Sequence, residues 1–270
     1  MKSTESSVDY PFDNTAPQAG TRLASLAAIY DDATFRHLDR FGIREGACCL
    51  EVGAGSGSVA AFMKQRAGPN SQVIATDINT DWMVDTLPAG IDVRRHDIGV
   101  DPLPEAMFDV IHARAVLTFV PQRRSAVARM TSALKPGGWI LIEEMVPPIT
   151  EALSQSDDPD VHLAHKARRA IVEVICRSGA DLTFAREIPR ILREGRVRDI
   201  GVEGFFLPFR TDAVADLTKA NIDQLGASLT ESGLVSPAEL RRYRMLLDEP
   251  EVFYPASMAL ISVWGQRELA

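Results

Sequence analysis

Cysteine and positive charge are both scarce in this chain, and each shortage excludes a class of protein. Only three cysteines occur in 270 residues. Cys48 and Cys49 are adjacent inside an apolar run and Cys176 stands alone, so neither a Cys-x-x-Cys zinc spacing nor a disulfide framework is available. That usage fits a reduced, cytoplasmic compartment. Lysine and arginine number 29 against 37 acidic residues, a net charge of −8. An acidic balance argues against nucleic acid as a partner, because a polyanion needs a basic surface. The pairs Arg94-Arg95, Arg123-Arg124, Arg168-Arg169 and Arg241-Arg242 are scattered and read as solvated faces. Uninterrupted apolar runs long enough to span a membrane are lacking too. The opening MKSTESSVDYPFDNTAPQAG has no apolar core of the signal-peptide kind, so no membrane or secretory role is expected.

What is present is a repeated strand–helix rhythm. Polar residues 1–17 precede QAGTRLASLAAIYDDATFRHLDR, where Leu23, Leu26, Ile29 and Leu38 keep helical spacing; Asp31-Asp32 divide it into two expected short helices. ACCLEVG is an apolar run without alternation, as in a strand buried on both faces. SVAAFMKQRAGP, TDWMVDTL and PQRRSAVARMTSALKPGG read as helices. QVIATDI, IDVRRHDI, FDVIHARAV and WILIEEM read as strands. Beyond Pro147-Pro148 comes a long helix, DPDVHLAHKARRAIVEVICRSGA, then a sheet helix, FAREIPRILREG. The strand VRDIGVEGFFLPF, helical residues 213–249 and a final strand ASMALISVWGQR complete the chain. The expected fold is an α/β, Rossmann-like open sheet of seven mostly parallel strands with helices on both faces. Residues 1–40 form an expected N-terminal helical cap. Residues 41–270 form the main domain, with helical insertions near 150–180 and 213–249.

The turn in CCLEVGAGSGSVAAF carries glycines at 53, 55 and 57. A dinucleotide turn requires G-x-G-x-x-G, but the position three after Gly55 is Ser58. The acidic Glu51 stands just ahead, where a pyrophosphate would be repelled. A carboxylate there suits a ligand with a cationic end and no phosphate, while the glycines let the backbone turn tightly against it.

LEVGAGSG, ATDI, RHDI and LKPGGWILIEE together resemble the class I S-adenosylmethionine-dependent methyltransferases over residues 40–145. HARAV, at the end of the fourth strand, is similar to enzymes methylating small metabolites, of the ubiquinone, menaquinone or antibiotic-pathway kind. The resemblance implies that Glu51, Gly53, Ala54, Gly55 and Gly57 line the cofactor turn. It implies that Asp77 accepts both ribose hydroxyls, with Ile78 beside it, and that Asp97 binds the adenine amino group while Ile98 packs on the ring. Ala113 and Arg114 would lie near the methionine end, and Arg22 would close on the methionine carboxylate. The Asn/Asp-Pro-Pro-Tyr signature of nucleic-acid amine methylation is absent after the fourth strand, where HARAVLTF stands.

Other residues keep two readings. Trp82 stacks near adenine or packs in the core. His112 is the candidate general base, or a strand-end residue without chemistry. His162 and His165, three apart on a helix, would share a metal or be ordinary helix residues; no third ligand is evident, and no metal is expected. One of Glu143 and Glu144 faces the substrate, or both are solvated loop acids. Leu, Ile, Val and Phe in the caps, with Phe205, Phe206 and Phe209, suggest a largely apolar small-molecule substrate. Methyl transfer by direct displacement needs proximity and water exclusion more than a base. The rivals are a non-catalytic S-adenosylmethionine-binding module and an NAD-dependent oxidoreductase. A homodimer is compatible with the sequence, and carbon, nitrogen and oxygen are all open as the acceptor atom.

Overall fold

A computed structural model describes residues 10–84, 86–147, 157–207, 211–249 and 258–269. Seven strands form one open sheet in the order β3-β2-β1-β4-β5-β7-β6. They are β1 (Cys48–Val52), β2 (Gln72–Asp77), β3 (Ile91–Arg95), β4 (Phe108–Arg114), β5 (Leu134–Val146), β6 (Val197–Phe205) and β7 (Ala259–Arg267). The pairs β2–β3, β1–β2, β1–β4 and β4–β5 are parallel, while β7 runs antiparallel to β6.

Strand side chains alternate between faces, so each strand supplies both layers of the core. Cys48, Leu50, Val52, Ile111, Ala113, Ile140 and Ile142 point into one apolar cluster with α4 (Arg123–Ala133) and α6 (Ile188–Glu194). Cys49, Val73, Ala75, Val110 and Leu141 point into the other, covered by α2 (Ser58–Ala67) and by Leu38 of α1 (Gln18–Phe41). The second face is also where Glu51, Asp77, His112, Arg114 and Glu143 fall by the same alternation.

The helix α1 is a single run of 24 residues rather than two helices broken at Asp31-Asp32. Its buried positions, Arg22, Ser25, Ile29, Tyr30, Ala33, Thr34, His37 and Leu38, keep helical period straight through the acidic pair. Aspartate costs a helix interior no more than about 0.7 kcal/mol, less than that continuous face contributes. Asp31 is moreover neutralised, accepting from Arg114 Nη2 at 2.7 Å and from Ser58 Oγ at 3.1 Å.

Two compact units divide the chain, but not at residue 40. The sheet unit takes residues 30–146, 181–205 and 260–270, so the C-terminal half of α1 belongs with the strands it covers. The other unit takes 1–29, 147–180 and 206–259, uniting the N-terminal segment with both insertions. It is helical: α5 (Pro159–Arg177) packs on α7 (Asp212–Glu231) and α8 (Pro237–Leu246). Arg242 ties α8 to Asp160 at 2.5 Å. Among the described residues no helix is long and apolar enough to cross a membrane.

Candidate functional site

The sheet face under α1 carries a row of buried polar groups. Glu51 and His112 are register partners on neighbouring strands, and Glu143 lies two residues beyond the partner of His112 on β5. His112 is wholly buried between two carboxylates, its Nδ1 2.7 Å from Glu51 Oε2 and its Nε2 3.1 Å from Glu143 Oε2. Neither carboxylate has a hydrogen to give when ionised, so both ring nitrogens donate and the ring is an imidazolium. Burial alone would lower its pKa, but Glu51 and Glu143 outweigh burial and hold it up at about 9. Glu143 moves the opposite way: burial would raise it, yet His112, Arg114 and Ser262 hold it down at about 2. Ser262 donates to Glu143 Oε1 at 2.5 Å, and Thr34 of α1 donates to Oε2. Burial dominates at Glu51 and raises its carboxyl above the usual range despite His112. Arg114 extends the row, donating to Thr34 Oγ1 at 2.8 Å and to Asp31.

This arrangement bears directly on the candidate base. With both nitrogens occupied, the ring buried and its proton firmly held, His112 has no lone pair to offer a substrate. Glu51 is equally engaged, at 2% exposure, so any pull on a ligand's positive end acts through its field rather than by contact. Glu143 and Glu144 are not solvated loop acids, being fully buried. Glu144 accepts from the backbone of Val116, Leu117 and Thr118 at 3.3, 2.7 and 3.2 Å and from Thr118 Oγ1 at 2.7 Å. It caps the short 3-10 turn Leu117–Phe119, where a negative charge satisfies free N–H groups.

The strand tips beside this row are open. Gly53, Gly55 and Gly57 all have positive φ, and at two of them an added Cβ would press on a neighbouring side chain. A Cβ on Gly53 would meet Val116 Cγ2 at 2.2 Å, and one on Gly57 would meet Leu87 Cδ2 at 2.4 Å. Ala54 between them donates its N–H to the Thr76 carbonyl at 2.9 Å, pinning the turn to β2. Asp77 ends β2 half-buried. Its Oδ2 accepts from Gly55 N at 2.9 Å and its Oδ1 from Asn79 N at 3.0 Å. Burial raises its carboxyl even against these backbone bonds. A carboxylate has about four lone-pair sites, and the backbone N–H groups of Gly55, Asn79 and Ile78 occupy three of them, so capacity remains for a ribose hydroxyl; on this test the residues present fit a nucleoside. Ile78 next door is 49% exposed, an apolar surface unusual for a bare strand end.

Asp97 is exposed, holding Gly99 N at 2.8 Å with its own N–H on Asp101. Ile98 does not pack on an exposed ring. Its side chain, 4% exposed, belongs to the core cluster on the opposite face. The exposed apolar groups here are Ile78 and Val100. Ala113 sits wholly buried within β4 between Val52 and Ile142. Trp82 is half-buried on α3 (Asp81–Val84). His162 is exposed while His165 is buried, so the two do not present a shared face. No metal-holding group of three appears among the described residues. Phe209 lies outside the described residues.

An open, mostly parallel sheet with a glycine turn after its first strand and an acid with spare acceptor capacity at the tip of its second defines a Rossmann-like nucleoside-binding unit. Residues 50–142 match the family model described as a methyltransferase domain. Over 99 residues, 36% of the chain, it is 38% identical to the methyltransferase str2 of Strobilurus tenacellus, spanning 34% of that protein. Over 170 residues, 56% of the chain, it is 30% identical to the ubiquinone/menaquinone biosynthesis C-methyltransferase UbiE of Pseudomonas putida, spanning 66% of it. Among solved structures, phosphoethanolamine N-methyltransferase 2 of Haemonchus contortus superposes with a TM-score of 0.59 at 15% identity, covering 94% of this chain and 59% of that one. Residues 50–142 are thus a methyltransferase domain of the class I S-adenosylmethionine-dependent family.

Proposed function

We propose that the chain binds S-adenosylmethionine at the open strand tips and transfers its methyl group to a small, largely apolar metabolite. The observation that carries this reading is Asp77: half-buried, held by backbone N–H groups, and left with acceptor capacity for a ribose hydroxyl beside the exposed Ile78. Gly53, Gly55 and Gly57 would let the backbone lie against the ligand, and Asp97 would accept from a base amino group. Arg114 and Ala113 would lie toward the amino-acid end, with Glu51 contributing negative field to its ammonium. The cofactor supplies an electrophilic methyl on a sulfonium. The chain's own residues then have to orient the acceptor and exclude water, which supplies much of the barrier lowering in a displacement. No protein base is needed in this reading, in keeping with the locked state of His112.

Two features support the small-molecule side of the proposal. The acidic balance disfavours a polyanionic partner, and the Pseudomonas relative is named for quinone biosynthesis. The test has two stages. S-adenosylhomocysteine is expected to raise the melting temperature while NAD(H) does not; the reverse result would replace the methyltransferase with an oxidoreductase. Methyl-labelled cofactor incubated with a metabolite extract is then expected to label a small organic-soluble product. Binding without any transferred label would favour a non-catalytic cofactor-binding module.

A further inference from the structure

Two arginines keep a buried Nε without a partner among the described residues, Arg22 and Arg129. Arg22, in the helical unit, stacks on the Phe12 ring, its Cζ 3.8 Å from the ring centre. Arg129, on α4 in the sheet unit, bonds to backbone instead. Its Nη2 donates to the Ile98 carbonyl and to the Gly99 carbonyl, each at 2.5 Å, and no carboxylate pairs with it among the described residues. For stability alone a guanidinium is a poor choice here. Its Nε–H is desolvated with no bond in return, and a methionine would cover the same surface.

What Arg129 holds is the loop that leaves β3. His96 opens this loop with its N–H on the Asp77 carbonyl at 2.9 Å, so the loop starts beside the acid proposed for the ribose. The Asp97 carbonyl accepts from Val100 N at 3.1 Å and from Asp101 N at 2.7 Å, closing a tight ring of backbone. The Ile98 carbonyl and the Gly99 N–H are the two ends of one peptide plane, which is rigid and trans, so they point opposite ways. Arg129 takes the oxygen end, and Asp97 Oδ1 takes the N–H end at 2.8 Å. A peptide whose carbonyl is bonded to a cation is polarised into a stronger N–H donor. The loop has little slack, because a Cβ on Gly99 would lie 2.9 Å from Asp97 Oδ1 and 3.2 Å from Val120 Cγ1. Asp97 is exposed, and its Oδ2 takes no donor from the described residues.

We infer that Arg129 is the positioning residue for base selection: through the Ile98–Gly99 peptide it sets the Asp97 carboxylate whose free oxygen accepts from the adenine amino group. The inference rests on the reading of the strand tips as an S-adenosylmethionine site. Arg129 touches no ligand in this account. An exposed carboxylate on a loop would otherwise turn about its own side-chain bonds, and selectivity requires that its free oxygen stay where an amino group arrives. One oxygen tied to a peptide that is itself clamped from α4 removes that freedom. A base with a carbonyl in place of the amino group then meets a fixed acceptor and is rejected, because neither oxygen has a hydrogen to give.

The probes are S-adenosylhomocysteine and S-inosylhomocysteine, in which a carbonyl replaces the amino group, both read by calorimetry on the full chain. The wild type is expected to bind the adenosyl compound at least about ten-fold more tightly, the lower end of what a hydrogen bond to a charged group contributes. Arg129→Met should bring the two affinities close to parity by weakening S-adenosylhomocysteine while S-inosylhomocysteine holds. In an Asp97→Ala background the same substitution should change neither affinity, because Arg129 acts through that carboxylate. Arg129→Gln, which keeps a neutral donor, carries the same expectation and stands in where circular dichroism shows the first variant unfolded. Urea unfolding exposes a mere staple: lower stability with the affinity ratio unchanged overturns the inference. An equal loss for both ligands, or a further loss in the Asp97→Ala background, overturns it as well. A wild type that binds both compounds equally removes the inference and leaves the methyltransferase reading standing; a wild type that binds neither removes both.

Discussion

Glu51 and Asp77 end neighbouring parallel strands and project from the same sheet face, yet their surroundings assign them opposite work. Glu51 lies under α1, sealed against His112 at 2.7 Å. Asp77 lies at the open tip, with only backbone N–H groups as partners and an exposed Ile78 beside it. In the sealed row every charge is answered by another protein group, and the result is a rigid joint between helix and sheet. At the open tip the acceptor capacity exceeds the donors present. An acid on a strand end is therefore a ligand candidate only when its lone pairs outnumber the protein's own donors; position on the sheet does not settle it.

The sharpest way to break this contrast is to remove one partner from the sealed row. His112→Ala leaves two buried carboxylates facing each other, and losing one member of a buried ion pair costs about 3–5 kcal/mol. Urea unfolding should show that loss with m unchanged. The same row sets a pH dependence. His112, at about 9 against an ordinary 6.5, contributes stability that is whole below about 6.5 and fades as pH rises through about 9. Glu143, at about 2 against 4.5, contributes stability that is whole above about 4.5 and fades as pH falls through about 2. Between pH about 4.5 and 6.5 both contributions are complete, and His112→Ala should lose most of the alkaline limb. An unaltered alkaline limb in the variant would show that the imidazolium is not the group involved.

Asp77→Ala is the counterpart at the open tip. It should cost cofactor-product affinity about 1.5–3 kcal/mol, the value of hydrogen bonds to a charged group, with a smaller change in unfolding free energy. Calorimetry with S-adenosylhomocysteine checks it. If Asp77→Ala proved as destabilising as His112→Ala while binding held, the open tip would be structural and the contrast would vanish.

The open tip was legible in the sequence because its signals are local. Alternating glycines, an acid at the end of a β-branched run and a Pro-Gly-Gly each mark a turn or a strand end by backbone chemistry alone. The open, mostly parallel sheet with helices on both faces followed from the βα rhythm in the same way. The sealed row was not legible as such. Its members are separated by 61 residues from Glu51 to His112, 109 from Thr34 to Glu143 and 119 from Glu143 to Ser262. Nothing local distinguishes a histidine that will sit between two carboxylates from one that will meet a substrate. Strand register was the only available signal: aligning CLEV on VIHA pairs Glu51 with His112. The unbroken α1 differs from the two helices expected for a related reason: Asp31 looks like a helix breaker in the sequence, while Arg114, 83 residues away, holds it.

Gly57→Ala sharpens the contrast from the backbone side. Gly57 has φ +84°, and an added Cβ would lie 2.4 Å from Leu87 Cδ2. The left-handed conformation costs an ordinary residue about 1–2 kcal/mol, and Leu87 has a flexible end that can yield. Stability should fall by about that amount, with weakened S-adenosylhomocysteine binding as the turn shifts. Loss of stability without loss of binding would mean the turn does not touch the ligand.

The smallest effect belongs to an ion pair outside both regions. Lys135 Nζ lies 2.7 Å from Asp109 Oδ2, a contact as short as the one between His112 and Glu51. Its side chains, however, are 42% and 39% exposed. Asp109 also keeps the Cys48 N–H at 2.8 Å, so removing the lysine leaves it neither bare nor buried. Exposed pairs contribute about 0–1 kcal/mol, because water and salt screen the attraction and two long side chains must be held still. Lys135→Gln should therefore change unfolding free energy within that range, lose even this difference at high salt, and leave ligand affinity untouched, since the pair sits at the N-terminal ends of β4 and β5, away from the tips. A cost approaching that of His112→Ala would mean that contact distance, not enclosure, governs the sealed row.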